Sequence, residues 1–413
     1  MRKLYTALLR LALPLILLRL WWRGRREPGY REGVPERLGH YGLDAPPKLL
    51  WVHAVSVGEA RAAAPLVRAL AQALPDHRVL VTCTTAAGRE TVKQVYGETV
   101  LAAYLPFDFP EPVQRFLEHF RPRLGVLMET EVWPNLLAGC AQNGVPVLLA
   151  NARMSEKSAR GYALWSALTR PAFAVLAAVC AQSAADAGRL RALGARDVEV
   201  TGNLKFDVHP DAAQVAAGRA WRAALGRPIL LLASTREGEE KLLLDALPGW
   251  DGKLLVVVVP RHPQRFEEVA QRVQSRRTRT EMPGLGDKFH LGDTMGEMPF
   301  YFGACDVAVI GGSFMPLGGQ NLIEALAVGA PVVAGPSMFN FADATRLAVE
   351  AGAALQASDG GSAIRTALGL IADQSRRRRM GEAGKNLCEA HRGATEKHLK
   401  RGLKIISRPP TAC

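Results

Sequence analysis

Short runs of Val, Leu and Ala, apolar at every residue rather than at alternate ones, recur along this chain with helical stretches between them. A strand that is apolar on both faces has to be covered on both, which is the situation of a parallel sheet layered between helices. Residues 49–56, 78–85, 124–131, 145–151, 174–182 and 198–206 read as such strands, and 60–74 and 111–120 carry apolar residues at helical spacing. After a helical pattern over 211–225, a Gly226-Arg227-Pro228 break restarts the series, with strands expected at 229–234, 253–259, 289–292, 307–311 and 331–334. At 413 residues the chain is too long for one core. The expectation is two doubly wound α/β domains with a boundary near 207–227. Ligands of such sheets sit beyond the carboxyl ends of the strands, so the expected site is the cleft between domains.

The net charge of +13 is not spread evenly. Residues 1–39 hold nine Arg and Lys against three Glu, or +6, and residues 376–413 hold eleven against three, or +8. The body between them therefore sums to −1. A nucleic-acid binder usually spreads basic residues over its reading surface. Basic ends on a neutral body suit an anionic membrane surface, where each nearby Lys or Arg contributes roughly 1 kcal/mol. The six cysteines, Cys83, Cys140, Cys180, Cys305, Cys388 and Cys413, include no C-x-x-C pair, so neither a zinc ribbon nor a disulfide framework is expected.

Residues 4–22 are strongly apolar, yet Arg10, Pro14 and Arg19 interrupt them. The longest uncharged run, 11–18, would extend only about 12 Å as a helix, against roughly 20 apolar residues for a span. Arg23-Gly24-Arg25-Arg26 stands where a signal peptide would carry small residues. A monotopic anchor is expected, with the arginines snorkelling and Trp21 and Trp22 at headgroup level; a single tilted span and a helix packed on the protein's own core are the alternatives. Residues 380–406 read as a basic amphipathic helix.

Polar residues stranded at strand ends mark the chemistry. His53-Ala-Val-Ser-Val-Gly-Glu59 ends a strand with Ser56, Gly58 and Glu59. Glu59 opens the following helix, where the dipole favours an ionised carboxylate of the kind a general base needs, although a plain helix cap uses the same residue. In Met128-Glu-Thr-Glu-Val-Trp-Pro134, strand alternation would put Glu129 and Glu131 on one face, raising a pKa or demanding a cation. Lys205, in Gly202-Asn-Leu-Lys-Phe-Asp207, is the candidate cation, or else a solvated surface lysine.

In the second half, Ser234 and Thr235 follow the first strand and Pro260-Arg261-His262 the second. The hydroxyls can offer donors to an anion and Arg261 can pair with phosphate. Gly311-Gly312-Ser313 ends a later strand, and Gly318-Gly319-Gln320-Asn321 opens a helix carrying Glu324, which can accept from ribose hydroxyls. Glycine pairs let backbone N–H groups approach a phosphate, and equally make tight turns. The chain carries no G-x-x-x-x-G-K-[ST], no G-x-G-x-x-G after a first strand and no H-E-x-x-H. A P-loop, a dinucleotide fingerprint and a bound metal are therefore not expected.

In order, these blocks resemble the 3-deoxy-D-manno-octulosonate (Kdo) transferases. The resemblance rests on Leu-Tyr-Thr-Ala-Leu-Leu (4–9), Arg-Leu-Trp-Trp-Arg-Gly-Arg (19–25), His-Ala-Val-Ser-Val-Gly-Glu (53–59) and Met-Glu-Thr-Glu-Val-Trp-Pro-Asn (128–135). It continues through Ala-Asn-Ala-Arg-Met-Ser (150–155), Thr-Gly-Asn-Leu-Lys-Phe-Asp (201–207) and Val-Pro-Arg-His-Pro (259–263), and ends in 292–298 and 318–324. Gln320 stands where the family's His is expected.

The resemblance implies a GT-B glycosyltransferase of two Rossmann-like domains facing a central cleft. Residues 1–26 would be the anchor, 27–207 the acceptor domain, 208–380 the nucleotide-sugar domain and 381–413 a helix returning toward the first. It implies inverting, metal-independent transfer of Kdo from CMP-Kdo to a tetra-acylated lipid A precursor (lipid IVA), in lipopolysaccharide biosynthesis at the cytoplasmic face of the inner membrane. Glu59 resembles the general base, and Glu129 and Lys205 the groups that stabilise the transition state. Pro260, Arg261, Gly296, Glu297, Met298, Asn321, Leu322, Ile323 and Glu324 resemble CMP-contacting residues. A GT-B-shaped nucleotide-sugar epimerase or hydrolase, a non-catalytic membrane scaffold and a nucleic-acid binder are the alternatives.

Overall fold

A computed structural model describes residues 1–407 except 26, 248, 250–252, 280 and 281. Arg26 of the anchor segment, and residues 408–413 of the basic tail with Cys413, lie outside the described residues. The chain divides into unit 1, Met1–Asp207 together with the chain from Arg392 onward, and unit 2, Val208–His391. Among the described residues each unit carries one seven-stranded sheet, and every strand pair is parallel.

Unit 1 contains β1 (Leu49–His53), β2 (Arg78–Cys83), β3 (Val100–Tyr104), β4 (Leu124–Met128), β5 (Val147–Ala152), β6 (Ala178–Ala181) and β7 (Val198–Val200), in the order β3-β2-β1-β4-β5-β6-β7. The order reverses between β1 and β4, with His53 opposite Leu127. β1, β4 and β5 are buried at every residue, as strands covered on both faces require. One face packs Trp51, Phe116 and Phe120; Gly125 is needed there because a Cβ would stand 2.9 Å from the Trp51 ring. The other face is covered by the Ala-rich helix Val57–Ala73 and by the last helix, Ala394–Ile406. That last helix is fastened by His398, whose Nε2 accepts the Asn151 N–H at 2.9 Å, leaving Nδ1 to donate to Ala394 O at 2.7 Å. Burial pushes His398 down to about 4, so it stays neutral.

Three sequence expectations change. The single basic helix over 380–406 is two helices, Gln374–Ala390 and Ala394–Ile406, because Gly393 turns the chain in the left-handed region (φ +94°), and the return to unit 1 begins at Arg392 rather than 381. β4 stops at Met128, since Glu129 has φ +56°, so the alternation argument for Glu129 and Glu131 does not apply. The strand expected over 198–206 ends at Val200 and gives way to a 3-10 turn, Leu204–Asp207. Strands β3, β10 (Ser275–Arg276) and β14 (Ala354–Gln356) were not expected; all lie at sheet edges, and β10 and β14 are only two and three residues long.

The first helix runs unbroken over Arg2–Arg23, through Pro14 and both interrupting arginines, and has the length and apolarity to cross a membrane. One face is nevertheless attached to unit 1. Tyr5 donates to Asp108 at 3.0 Å, Thr6 and Asn135 exchange hydrogen bonds, and Arg10 pairs with Glu111. Tyr5, Thr6, Leu9, Leu13, Ile16 and Leu20, three or four residues apart, are wholly or partly shielded along its length. The opposite face, Leu4, Leu8, Leu11, Leu15, Leu18 and Trp22, is exposed.

Unit 2 contains β8 (Ile229–Thr235), β9 (Leu255–Pro260), β10, β11 (Phe289–Leu291), β12 (Val307–Ile310), β13 (Val332–Ala334) and β14, in the order β10-β11-β9-β8-β12-β13-β14. Its order reverses between β8 and β12. Helices Ala212–Leu225 and Met298–Ala304 touch backbone to backbone: a Cβ on Gly218 would come within 2.0 Å of Phe300 O, and one on Gly303 within 2.5 Å of Val215 O. Gly218→Val is expected to lower unit 2 stability by about 1–3 kcal/mol through overpacking. A denaturant midpoint equal to that of the unsubstituted protein would contradict this contact.

Candidate active site

Both order reversals place polar residues at the carboxyl ends of central strands. In unit 1, Glu59 follows β1 and Glu129 follows β4, the two strands that flank the switch point. Ser56 caps the helix Val57–Ala73, accepting the Glu59 N–H at 3.4 Å. The Glu59 carboxyl turns back on the same loop, accepting from Val55 N–H at 2.9 Å and Ser56 Oγ at 3.1 Å. Glu59 thus takes part in capping the helix as well as standing at the switch point as a candidate site residue. Its protonation differs from the expected ionised state. Burial, then the charges of Glu129 and Glu131, push it up to about 8, against the hydrogen bonds from Val55 and Ser56.

Glu129 behaves oppositely. Burial raises it, but the charge and hydrogen bond of Lys205, helped by Arg153, hold it below its ordinary value. The Lys205 Nζ stands 2.8 Å from Glu129 Oε1, with the two side chains 15% and 16% exposed, so Lys205 is not a solvated surface lysine. Glu131 points elsewhere: its carboxylate accepts the Trp133 indole N–H at 2.9 Å, and burial raises its pKa.

The sequence pattern missed the supports of Lys205. Its backbone N–H donates to Asn203 Oδ1 at 3.0 Å, Asn203 donates to Gln182 at 3.1 Å, and Gln182 donates to Asn151 O at 2.9 Å. Asn151 has φ +52° and accepts the Leu204 N–H at 3.0 Å, fixing the turn that carries Lys205. Only the asparagines' tolerance of the left-handed region hints at this in the sequence. His53, noted at a strand end, is a core residue: burial lowers it to about 4, and its Nδ1 lies 2.9 Å from Thr82 Oγ1.

In unit 2 the expected donors are largely engaged within the protein. Thr235 is fully buried and donates to Glu240 at 2.7 Å, so its hydroxyl is not offered to an anion. The Gly312 N–H donates to Glu239 at 2.6 Å, and the Gly318, Gly319 and Gln320 N–H groups donate to Ser337 Oγ, Gly312 O and Gly311 O. The glycines serve close packing: a Cβ on Gly311 would stand 2.5 Å from Ser234 O, and one on Gly319 2.2 Å from Met338 Sδ. Leu322 and Ile323 are buried core residues. Asn321 donates to Glu324 at 2.9 Å, so the Glu324 carboxylate faces its own helix start. Glu297 is bound by Arg277 and Thr294, which hold it low against burial.

Other expected residues do come together. Pro260 pairs in register with Thr235, and the Arg261 N–H donates to Thr235 O at 2.9 Å. Burial and then the charges of Arg236, Arg261 and Arg265, from the chain after β8 and β9, lower His262, and of these arginines Arg265 is paired with Glu240 and Glu268. Ser234, with φ +57°, lies 4.0 Å from Met298 Sδ, beside Gly296 (φ +86°). Among the described residues no group of three metal-ligating side chains gathers.

Residues 32–208 match the family described as 3-Deoxy-D-manno-octulosonic-acid transferase (kdotransferase). The 3-deoxy-D-manno-octulosonic acid transferase of Bordetella pertussis is 47% identical over 421 residues, covering 96% of this chain and 98% of its own. That of Haemophilus influenzae is 35% identical, with 96% and 97% covered. The solved structure of HepE from Anabaena in complex with UDP-glucose aligns with a TM-score of 0.60 over 87% of this chain and 99% of its own, at 15% identity. UDP-GlcNAc 2-epimerase from Neisseria meningitidis gives 0.57 over 86% and 100%, at 16%. These two likenesses show the GT-B fold alone. Identities of 47% and 35% over nearly the full length of both chains establish that this chain belongs to the 3-deoxy-D-manno-octulosonic acid transferase family of glycosyltransferases.

Proposed function

We propose that this glycosyltransferase of lipopolysaccharide biosynthesis transfers Kdo from CMP-Kdo to a lipid A precursor, lipid IVA, with inversion and without a metal. The observation that carries the reading is the pairing of opposite protonation states at the β1/β4 switch point. Lys205 keeps Glu129 ionised, and the resulting charge helps to keep Glu59 protonated up to about 8. A base poised near the working pH combines a useful ionised fraction with a real affinity for the proton.

In this mechanism the ionised Glu59 takes the proton of an acceptor hydroxyl. The hydroxyl oxygen then attacks the anomeric carbon of Kdo, and the bond to the CMP phosphate oxygen breaks with its electron pair leaving on CMP. The arginines after β8 and β9, Arg261 foremost, meet the charge on the departing phosphate. Glu129 and Lys205 stabilise the charge that develops at the sugar. Ser234, Pro260, Gly296 and Met298 form the surface for the nucleotide, whereas Thr235, Gly312, Glu297 and Glu324 hold that surface in shape through their internal bonds.

The attached, outwardly apolar first helix supports a monotopic position, lying in the plane of an inner-membrane leaflet with its exposed leucines in the acyl region. Removal of residues 1–25 is expected to release the protein from membranes into the soluble fraction; unchanged membrane recovery would contradict the anchor.

Glu59→Ala or Glu59→Gln is expected to lower the rate of transfer from CMP-Kdo to lipid IVA by about 10²–10⁴. The unsubstituted protein should lose kcat/KM as pH falls below about 8, because the base becomes protonated. Mass spectrometry of the product in detergent checks the first, and a pH series the second; full activity in both variants would refute the assignment.

The same group sets a stability window. A carboxyl with an ordinary value of 4.5 that is raised to about 8 in the folded state favours folding at low pH. That contribution is lost as pH rises from about 4.5 to about 8. The melting temperature of Glu59→Gln relative to the unsubstituted protein should therefore increase over this range. A constant difference would place Glu59 outside the buried environment described.

A further inference from the structure

Arg37 is 2% exposed, and its Nε and Nη2 have no hydrogen-bond partner among the described residues. It lies over the Tyr104 ring at 3.8 Å, and among the described residues no carboxylate pairs with it. A guanidinium taken out of water without an anion is costly, and the site invites one. Arg37 lines a cavity of about 460 Å³ together with Arg19 and Arg23 of the first helix. Val55, which holds Glu59 through its N–H, lines the same space. Two carboxylates are also present, and both have partners. Asp108 accepts from Tyr5 and from the Asn135 and Leu136 N–H groups, and Glu131 from Trp133.

A second cavity, about 660 Å³, adjoins the first, sharing Glu131 and Trp133. Its walls are mainly apolar: Leu4 and Leu8 from the first helix, and Tyr162, Trp165 and Leu168 from across the groove. Trp165 and Leu164 are exposed at its edge, continuous with the apolar outer face of the first helix. A compartment lined by three arginines and two carboxylates on an otherwise largely apolar wall therefore opens beside the second, more apolar one, which is edged by the exposed Trp165 and the outer face of the first helix.

We infer that these two compartments bind the acceptor lipid in two parts: a phosphate monoester of its headgroup at Arg37, Arg19 and Arg23, and one acyl chain in the groove between the first helix and Trp165. This rests on the function proposed above and adds to it the residues that select the acceptor. The headgroup phosphate neutralises the buried guanidinium. The chain enters sideways from the leaflet, bringing the acceptor hydroxyl toward the Val55–Glu59 loop.

Two acceptors separate the parts: the bis-phosphorylated precursor lipid and the same lipid with its phosphates removed. Arg37→Gln is expected to raise KM for the phosphorylated lipid about 10-fold or more, while KM for the dephosphorylated lipid moves less than about 2-fold. Arg19→Gln, on an exposed side chain that does not risk the fold, should show the same preference at about 3-fold. Gly161 lines the apolar groove, and a Cβ there would meet nothing within 4 Å, so Gly161→Phe fills the groove without a clash. That variant should raise KM for the tetra-acylated lipid about 10-fold and leave KM for a deacylated acceptor unchanged.

Binding is followed separately by tryptophan fluorescence, so that absence of transfer by the unsubstituted protein would count against the function while binding still decides the site. Equal losses on both acceptors, no loss on either, or displacement of the lipid by inorganic phosphate at comparable concentration would overturn the assignment.

Discussion

Charge compensation at the carboxyl ends of β1 and β4 sets the protonation of the candidate site. Two carboxylates placed close together in a poorly hydrated setting cannot both be ionised unless a cation serves one of them. Lys205 serves Glu129 at 2.8 Å, and Glu59 is left as the group whose proton is held. The difference between the two acids arises from the partner each has, not from residue type. It depends in turn on a chain of side-chain amides, Asn151, Gln182 and Asn203, that fixes where the lysine starts. Losing that chain would leave Glu129 buried without its counter-charge and would disturb both acids together.

Unit 2 solves a related problem with an anion of its own. Glu239 is fully buried, and its carboxylate accepts the N–H groups of Arg236, Gly312 and Phe314. These come from the loops after β8 and β12, so one side chain ties together the two strands at the unit's switch point. The loops are held in shape by hydrogen bonds within the protein. Left-handed backbone occurs beside the reversal in each unit, at Glu129 directly after β4 and at Ser234 near the end of β8, where its register with β9 shifts.

The sequence was most readable where burial is total. Strands apolar on both faces announced the parallel sheets, and polar residues at the ends of β1, β4 and β9 marked the candidate site. Weak edge strands such as β14, three residues long, carry too little pattern to be seen. The direction of backbone N–H groups was not readable either. Gly318-Gly319 looks like a phosphate loop in sequence, yet its N–H groups bond inward because Met338 and Asn340 lie against it, a contact between distant residues. Glu59 was found as a carboxylate at a helix start, but its protonation depends on burial and then on Glu129, which is far away in the chain. Arg37 gave no signal at all, since only the fold shows that a surface-type residue is enclosed.

The return of the last helix to the first unit has a consequence for biosynthesis. Ala394 and Ile405 are core residues of unit 1, the latter close to the end of the described chain. During translation, every residue of unit 2 has been made before unit 1 receives its closing piece. Unit 1 is therefore the last to mature, and a ribosome stalled late, or a premature stop codon near the end, would leave it without its closing helix while unit 2 was already whole.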